Sequence, residues 1–338
     1  MRELIQSGML RKKHTRHKKE CDNLEHLLFS LNATIPIFIL MVLGYLLMIT
    51  KVVDEPFVKT LNSFNYKITL PVLLFRDIAG SDFYEVWDTA YVLYCFFATL
   101  ASIVIVWILT SLLYKNKACI GEFVQGSYRS SAAVLGIAFI QNIYGNAGMA
   151  PLMIIGTVPL YNIAAVIILT FTRPGGEKPG KNLILSSLKG IITNPIIFGI
   201  LLGMGASILK LKFPPIVAKP IGSIASLATP LALIGLGAGF EGAKAIKKIR
   251  PTIVATLLKL MVLPLVFLPP AIMLGFRDEK LVAALIMLGA PTTVSCYIMA
   301  KNMGHEGVLT SGIVVATTFF SSVSLTFWLF ILKSQGMI

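Results

Sequence analysis

Residues 36–80, PIFILMVLGYLLMITKVVDEPFVKTLNSFNYKITLPVLLFRDIAG, decide the fold, because residues 195–239, PIIFGILLGMGASILKLKFPPIVAKPIGSIASLATPLALIGLGAG, repeat them 159 positions later. Pro36, Gly44, Lys51, Pro56, Pro71, Ala79 and Gly80 are matched by Pro195, Gly203, Lys210, Pro215, Pro230, Ala238 and Gly239. With Ile37, Leu43, Ile49, Val58 and Leu74 also matched, 12 of 45 positions agree without a gap, where about 4 or 5 are expected from so apolar a composition. Prolines and glycines at fixed offsets inside apolar stretches bend the backbone at the same depths twice, the mark of a duplicated unit that crosses a membrane repeatedly.

Composition sets the solvent. With 56% hydrophobic and 14% charged residues in 338, and a mean hydropathy of +0.79, the chain has more apolar surface than one aqueous core can bury. A span needs roughly 17–25 apolar residues. Ten are read, at 28–49, 60–78, 90–114, 124–143, 147–171, 190–209, 217–239, 251–275, 281–300 and 307–332. The organisation expected is a basic tail (1–27), a first five-helix repeat (28–171), a polar linker (172–189, containing TRPGGEKPGKN) and a second five-helix repeat (190–338). Because five is odd, the second copy enters from the opposite side and the duplication is inverted. Two similar hairpins in one irregular bundle are the alternative.

Charge orients the spans. The odd-numbered loops carry 13 Lys and Arg, against seven for the even loops and C-terminus when Arg76 and Lys219 at the adjoining span ends are counted. Positive loops stay inside, so the odd loops are expected in the cytoplasm and both termini outside a plasma membrane. The tail contradicts this with Arg2, Arg11, Lys12, Lys13, Arg16, Lys18 and Lys19. The distributed count is the broader signal, so we expect the natural product to begin near Leu24; native protein whose intact mass still contains Met1 would refute that. No cleavable signal is evident.

Several function classes lack the residues they need. His14, His17, Cys21 and His26 in the tail fit no zinc spacing and lie among lysines, so no metal site is expected. Cys95, Cys119 and Cys296 fall singly in or near different spans, which indicates no disulfide framework. The net charge of +14 belongs largely to the tail and the cytoplasmic loops facing anionic lipid; no nucleic-acid module interrupts the spans. Within the spans as bounded here no Asp or Glu lies deep, Asp77 falls at the end of span two, and all four His are outside. Carboxylate and histidine proton relays are therefore not expected, nor is a catalytic constellation or a cofactor. Lys67, Arg129 and Lys259 do fall within spans. Such residues ordinarily snorkel to the interface; the functional alternative is positive potential for an anion pathway, with Arg129 the best candidate and Lys259 the second.

Span four reads SYRSSAAVLGIAFIQNIYGNAG and span nine ALIMLGAPTTVSCYIMAKNMGHEG, both unusually polar for their depth. Pro291 cannot donate an N–H, so Gly289, Ala290 and Pro291 followed by Thr292, Thr293 and Ser295 suit an interrupted helix with hydroxyls at the break. Gly136, in Leu135-Gly136-Ile137-Ala138, is read as the counterpart of Leu288-Gly289-Ala290-Pro291. A half-helix start presents N–H groups and about half a positive charge. Two such ends at mid-membrane would hold an anion, whereas the alternative is close helix packing through small residues.

From Asn32 to Leu332 the chain resembles the auxin efflux carrier family, which includes plant auxin exporters and bacterial malate permeases. The resemblance runs through Ile35-Pro36, Gly44-Tyr45, Leu70-Pro71-Val72-Leu73-Leu74-Phe75, Leu135-Gly136-Ile137 with Tyr144-Gly145, Asn194-Pro195, Pro230-Leu231-Ala232-Leu233-Ile234 with Gly237, and Ala290-Pro291-Thr292 with Ala300-Lys301. It implies an all-α membrane protein of ten helices in two inverted repeats. The first two helices of each repeat form a scaffold and the last three a transport domain in which broken spans four and nine cross. A substrate carboxylate would sit near Ser131, Gly136, Thr292, Thr293 and Ser295, with Asn162 as a further contact; Ser130, Asn142, Gly289 and Pro291 complete the candidate set. Plant members have Asn at the position of Ser131 and Pro at those of Ala138 and Cys296, which counts against auxin itself. The function implied is a secondary carrier of small organic anions working by alternating access. A receptor or channel on the same scaffold is the alternative, and a membrane-embedded enzyme a weaker one. The resemblance also makes plausible a homodimer through the scaffold helices.

Overall fold

A computed structural model describes residues 35–80, 87–114, 119–132, 137–145, 148–174 and 193–338, and these are helical with no strand. The basic tail and most of the linker, with their sequence-based readings, lie outside the described residues. In chain order the helices are α1 (Ile35–Ile49), α2 (55–79), α3 (Thr89–Leu113), α4 (Ile120–Tyr128), α5 (Ile137–Tyr144), α6 (Ala150–Phe171), α7 (Pro195–Ile208) and α8 (Pro215–Ala238). Then follow α9 (Gly242–Lys247), α10 (Ile249–Met273), α11 (Asp278–Gly289), α12 (Ser295–Asn302) and α13 (Val308–Ser334). Five of them, α3, α6, α8, α10 and α13, are long and apolar enough to cross a membrane. Their outward faces carry side chains such as Phe97, Ile108, Leu112, Leu265 and Phe319 in the open, a surface that hydrocarbon covers and water does not.

Local chemistry fixes the helix starts and bends. Asp54, Asp88 and Asn194 accept the backbone N–H of Phe57, Tyr91 and Ile196 at 2.8, 3.0 and 2.9 Å, capping α2, α3 and α7. Two π turns each precede a proline: Asn65–Thr69 before Pro71, and Leu258–Val262 before Pro264. A proline ring crowds the carbonyl four residues back and leaves it without a donor, and the wider turn relieves that crowding. Trp328 supplies the missing donor for Leu260, its indole N–H reaching that carbonyl at 3.0 Å.

The sequence repeat recurs as geometry. Two residues past the ends of α1 and α7, Lys51 and Lys210 are both left-handed at φ 59° and 50°. Gly44 packs on the backbone of Ile234, and its repeat mate Gly203 packs on Phe75, the repeat mate of Ile234. The first helix of each copy thus lies on the second helix of the other, at matched residues.

Packing divides the helices into two groups. One core cluster joins Met41, Tyr66, Leu70, Ile196, Ile200, Ala232 and Leu233, bringing α1, α2, α7 and α8 together, and extends to Val166, Ile298 and Met299 on α6 and α12. Two other clusters are built from α3–α6, α10, α11 and α13. The cross-group polar contacts include Asn302 Nδ2 to Asn62 O at 3.1 Å and Tyr297 OH to Gly235 O at 3.5 Å.

Helix ends gather in two sets. Thr172 and His305 pack against Gly121, Arg173 against Gly304, and Lys248 bonds Glu306 at 2.5 Å. At the other ends Lys280 bonds Asp88 at 2.5 Å, and Asp278 N–H donates to Met337 O at 3.1 Å. The hydrogen bond from Lys280 holds the Asp88 carboxyl below its usual range. Its contribution is therefore present above the ordinary aspartate pKa and lost as pH falls through the lower folded value.

The close approaches yield a test. A methyl added at Gly237 would lie 1.9 Å from the Met41 carbonyl oxygen, and one at Gly44 2.2 Å from that of Ile234. Both obstacles are backbone, so Gly237→Ala and Gly44→Ala are expected to lower the melting temperature in detergent, each losing about 1–3 kcal/mol. Gly205, with nothing within 4 Å of an added methyl, should tolerate alanine unchanged or slightly stabilised. Wild-type melting of Gly237→Ala would contradict this packing.

Candidate functional site

Two helical runs stop inside the protein and restart. α4 ends at Tyr128, and Arg129 turns extended at φ −72°, ψ 133°. α11 ends at Gly289, Ala290 turns extended at φ −68°, ψ 157°, and α12 begins at Ser295. The second break falls where Pro291 and its neighbours led us to expect it. The first begins earlier than the pairing of Gly136 with Gly289 suggested: the chain leaves the helix at Arg129, because Ser131 N–H is drawn to the Pro291 carbonyl at 2.9 Å. That bond joins the two breaks directly. Gly136 itself lies outside the described residues.

Every helix end leaves carbonyls without partners, and in a dry interior each unsatisfied one costs several kcal/mol. Here side chains satisfy them. Thr292 Oγ1 donates to Gly126 O at 2.7 Å, and Ser130 Oγ and Tyr161 OH donate to Met287 O at 2.5 and 2.9 Å. Lys259 Nζ, on the π turn of α10, reaches Tyr128 O at 3.2 Å and Leu288 O at 2.6 Å, and also bonds Ser130 Oγ. One ammonium therefore closes the C-terminal ends of both α4 and α11.

Arg129 lies on the other side of the same break. Its Nη2 donates to Asn162 Oδ1 at 2.7 Å and Ser295 Oγ at 3.0 Å, and Nη1 lies 2.8 Å from Met299 Sδ. Its Nε is buried without a partner. Arg129 and Lys259 are 2% and 0% exposed, so neither snorkels; Lys67 is exposed. Among the described residues no carboxylate pairs with either buried cation. A buried charge without a counter-charge is unfavourable by several kcal/mol.

A cavity of about 200 Å³ opens beside Arg129, between the two helix groups. One wall is Ser130, Ser131, Asn162, Pro291, Thr292, Thr293 and Ser295; the other comes from α1, α2, α7 and α8 and includes Leu73, Asp77, Ile196 and Thr229. Asp77 is bonded to Arg76 at 2.7 Å. The N–H groups of Val294 and Ser295, at the start of α12, make no hydrogen bond to another described residue, and this positive helix end faces the cavity. Gly289 ends α11 and packs on Pro264; it does not line the cavity. Asn142 lies on α5, with its side chain outside the description. Sequence reasoning missed Tyr161 and Thr318, which also line the space. A tyrosine next to Asn162 in an apolar span was the available signal for the first.

Glu122 was missed as well. It falls two residues outside the span boundary read from sequence, yet it is 1% exposed. Its carboxylate accepts from Gly307 N at 3.0 Å, Thr310 N at 2.9 Å and Thr310 Oγ1 at 3.0 Å, capping α13. His305, also buried, bonds Leu169 O at 2.8 Å. Among the described residues no cluster of metal-ligating side chains occurs, and the three described cysteines are free and buried.

If Arg129 is the anion-facing group, Arg129→Ala should weaken carboxylate binding by about 10- to 100-fold, the worth of a charged hydrogen bond. Arg129→Lys, a point charge without the fork, should fall between. Binding measured by calorimetry in detergent checks this; equal affinity in all three proteins would remove Arg129 from the site.

Residues 29–329 match a family described as membrane transport protein. The chain is 24% identical over 323 residues to a "Putative malonate transporter" of Rhizobium meliloti (strain 1021), covering 90% of this chain and 96% of that protein. It is 22% identical over 302 residues to an "Uncharacterized transporter" of Methanothermobacter thermautotrophicus, covering 88% and 97%. A buried cationic cavity between two groups of lipid-facing helices, and a match along nearly the whole chain, lead to one conclusion: the protein belongs to the membrane transport protein family of auxin efflux carriers, and is a transporter in a membrane, not an enzyme.

Proposed function

We propose that the protein carries small organic carboxylates across the plasma membrane by alternating access, on ten spans arranged as two inverted repeats. The observation that carries this reading is Arg129, buried beside a cavity and, like the buried Lys259 at the same break, without a carboxylate partner among the described residues. An anion entering there meets Arg129, Asn162 and Ser295, which line the space, and the start of α12. The cavity lies below the roughly 300–1,000 Å³ of sites for drug-sized ligands, which favours a small anion over a lipid. The relative named for malonate is consistent with a short carboxylate.

The inverted-repeat reading draws support from Gly44 on Ile234 and Gly203 on Phe75, and from the matched left-handed Lys51 and Lys210. The two sets of helix ends correspond to the odd and even loops, which fits cytoplasmic odd loops and extracytoplasmic termini. The cavity separates α1, α2, α7 and α8 from the helices that contain the breaks. Movement of one group against the other would open it first to one side and then to the other.

Energetics favour export. Moving one negative charge outward across an inside-negative potential gains about 2.3 kcal/mol per 100 mV, so a monoanion can leave uncoupled. In proteoliposomes preloaded with unlabelled carboxylate, labelled carboxylate such as malonate should accumulate transiently by saturable counterflow, and net flux should follow the imposed potential. Flux without counterflow would instead mean a channel. Proton-driven uptake indifferent to potential would contradict the export reading.

A further inference from the structure

The position of Lys259 has a meaning beyond hydrogen bonding. Its ammonium sits where the C-terminal ends of α4 and α11 converge, within reach of Tyr128 O, Leu288 O and Ser130 Oγ. Each helix C-terminus is equivalent to about half a negative charge, so two together call for one monovalent cation. In carriers with interrupted helices, unwound carbonyls and half-helix C-termini are the groups that coordinate a coupling sodium ion. The oxygen set here is of that kind, two main-chain carbonyls and a hydroxyl, and it is filled by a side chain. The side chain comes from a third element, α10, on the π turn ahead of Pro264, and it is fully buried.

We propose that Lys259 is a tethered cation occupying a latent sodium site, so that the breaks hold their shape, and the neighbouring cavity its anion, without a dissolved coupling ion. The functional part of this inference rests on the carrier reading above. The ion site itself does not, since it is read from folding.

Ser130 links the two roles. Its hydroxyl bonds Lys259 and Met287 O, and the same residue lines the cavity. Removing the amine should leave a space bounded by three oxygens and the ends of two helices. A small monovalent cation would enter it and stabilise the folded state by mass action.

The experiment compares melting of the purified wild type, Lys259→Ala and Lys259→Met in sodium, methylammonium and choline chloride at equal ionic strength. The wild type should melt alike in all three. Lys259→Ala should melt several degrees lower in choline and be raised saturably by sodium or methylammonium. Lys259→Met, whose thioether fills the space without charge, should be destabilised and unresponsive. Recovery of Lys259→Ala only when it is purified in sodium or methylammonium also supports the proposal; failure to recover it in any of the salts counts against it. A wild type that sodium stabilises over choline, or a folded Lys259→Ala that no small cation restores, overturns it. Absence of counterflow in the wild type would defeat the carrier reading while leaving these melting results intact.

Discussion

Two helices are broken inside the protein, and the amide and carbonyl groups freed there have no water to fall back on. That requirement organises what surrounds them. Thr292, Ser130 and Tyr161 donate to carbonyls at the ends of α4 and α11, Lys259 closes both ends at once, and Ser131 ties one break to the other. With those acceptors satisfied, the positive end of α12 and the Arg129 guanidinium remain turned toward the cavity. The cavity is thus where the two breaks leave polar groups free among the described residues.

The same polarity explains the division of the helices. The helices around the breaks hold most of the internal polar bonding, whereas the group of α1, α2, α7 and α8 meets them mainly through apolar side chains such as Leu70, Ile196 and Leu233 against Val166, Ile298 and Met299. An apolar contact with few directional bonds is cheap to shift along its surface. Within the group of α1, α2, α7 and α8 the opposite holds: Gly44 and Gly237 bring backbones into direct contact, where any displacement meets main chain. Close backbone packing inside that group and an apolar surface between the two groups fit the rocking movement proposed above.

Much of this was legible in the sequence. Matched glycines picked out Gly44 and Gly203, which take matched packing places, and helix limits fell within a few residues of the apolar runs, because both follow from rules local to the chain. Pro291 announced the second break for the same reason. The first break opens earlier than the local Leu-Gly pattern at Gly136 indicated, at Arg129, and the 159-residue offset carried forward sets Ser130 and Ser131 opposite Gly289 and Ala290. The cages around Arg129, Lys259 and Glu122 were not legible at all. A lysine in a span reads alike whether it snorkels or is enclosed, and the partners that decide it lie far away in the chain, as Gly307 and Thr310 do for Glu122.

The most direct measurement is an experimental density map of the protein in lipid nanodiscs with a short carboxylate present. Interrupted helices meeting at Ser131 and Pro291 are expected, with carboxylate density against Arg129, Asn162 and Ser295. Continuous helices that pass each other without contact, or a carboxylate bound with Arg129 turned away from it, would contradict an anion site at the two breaks.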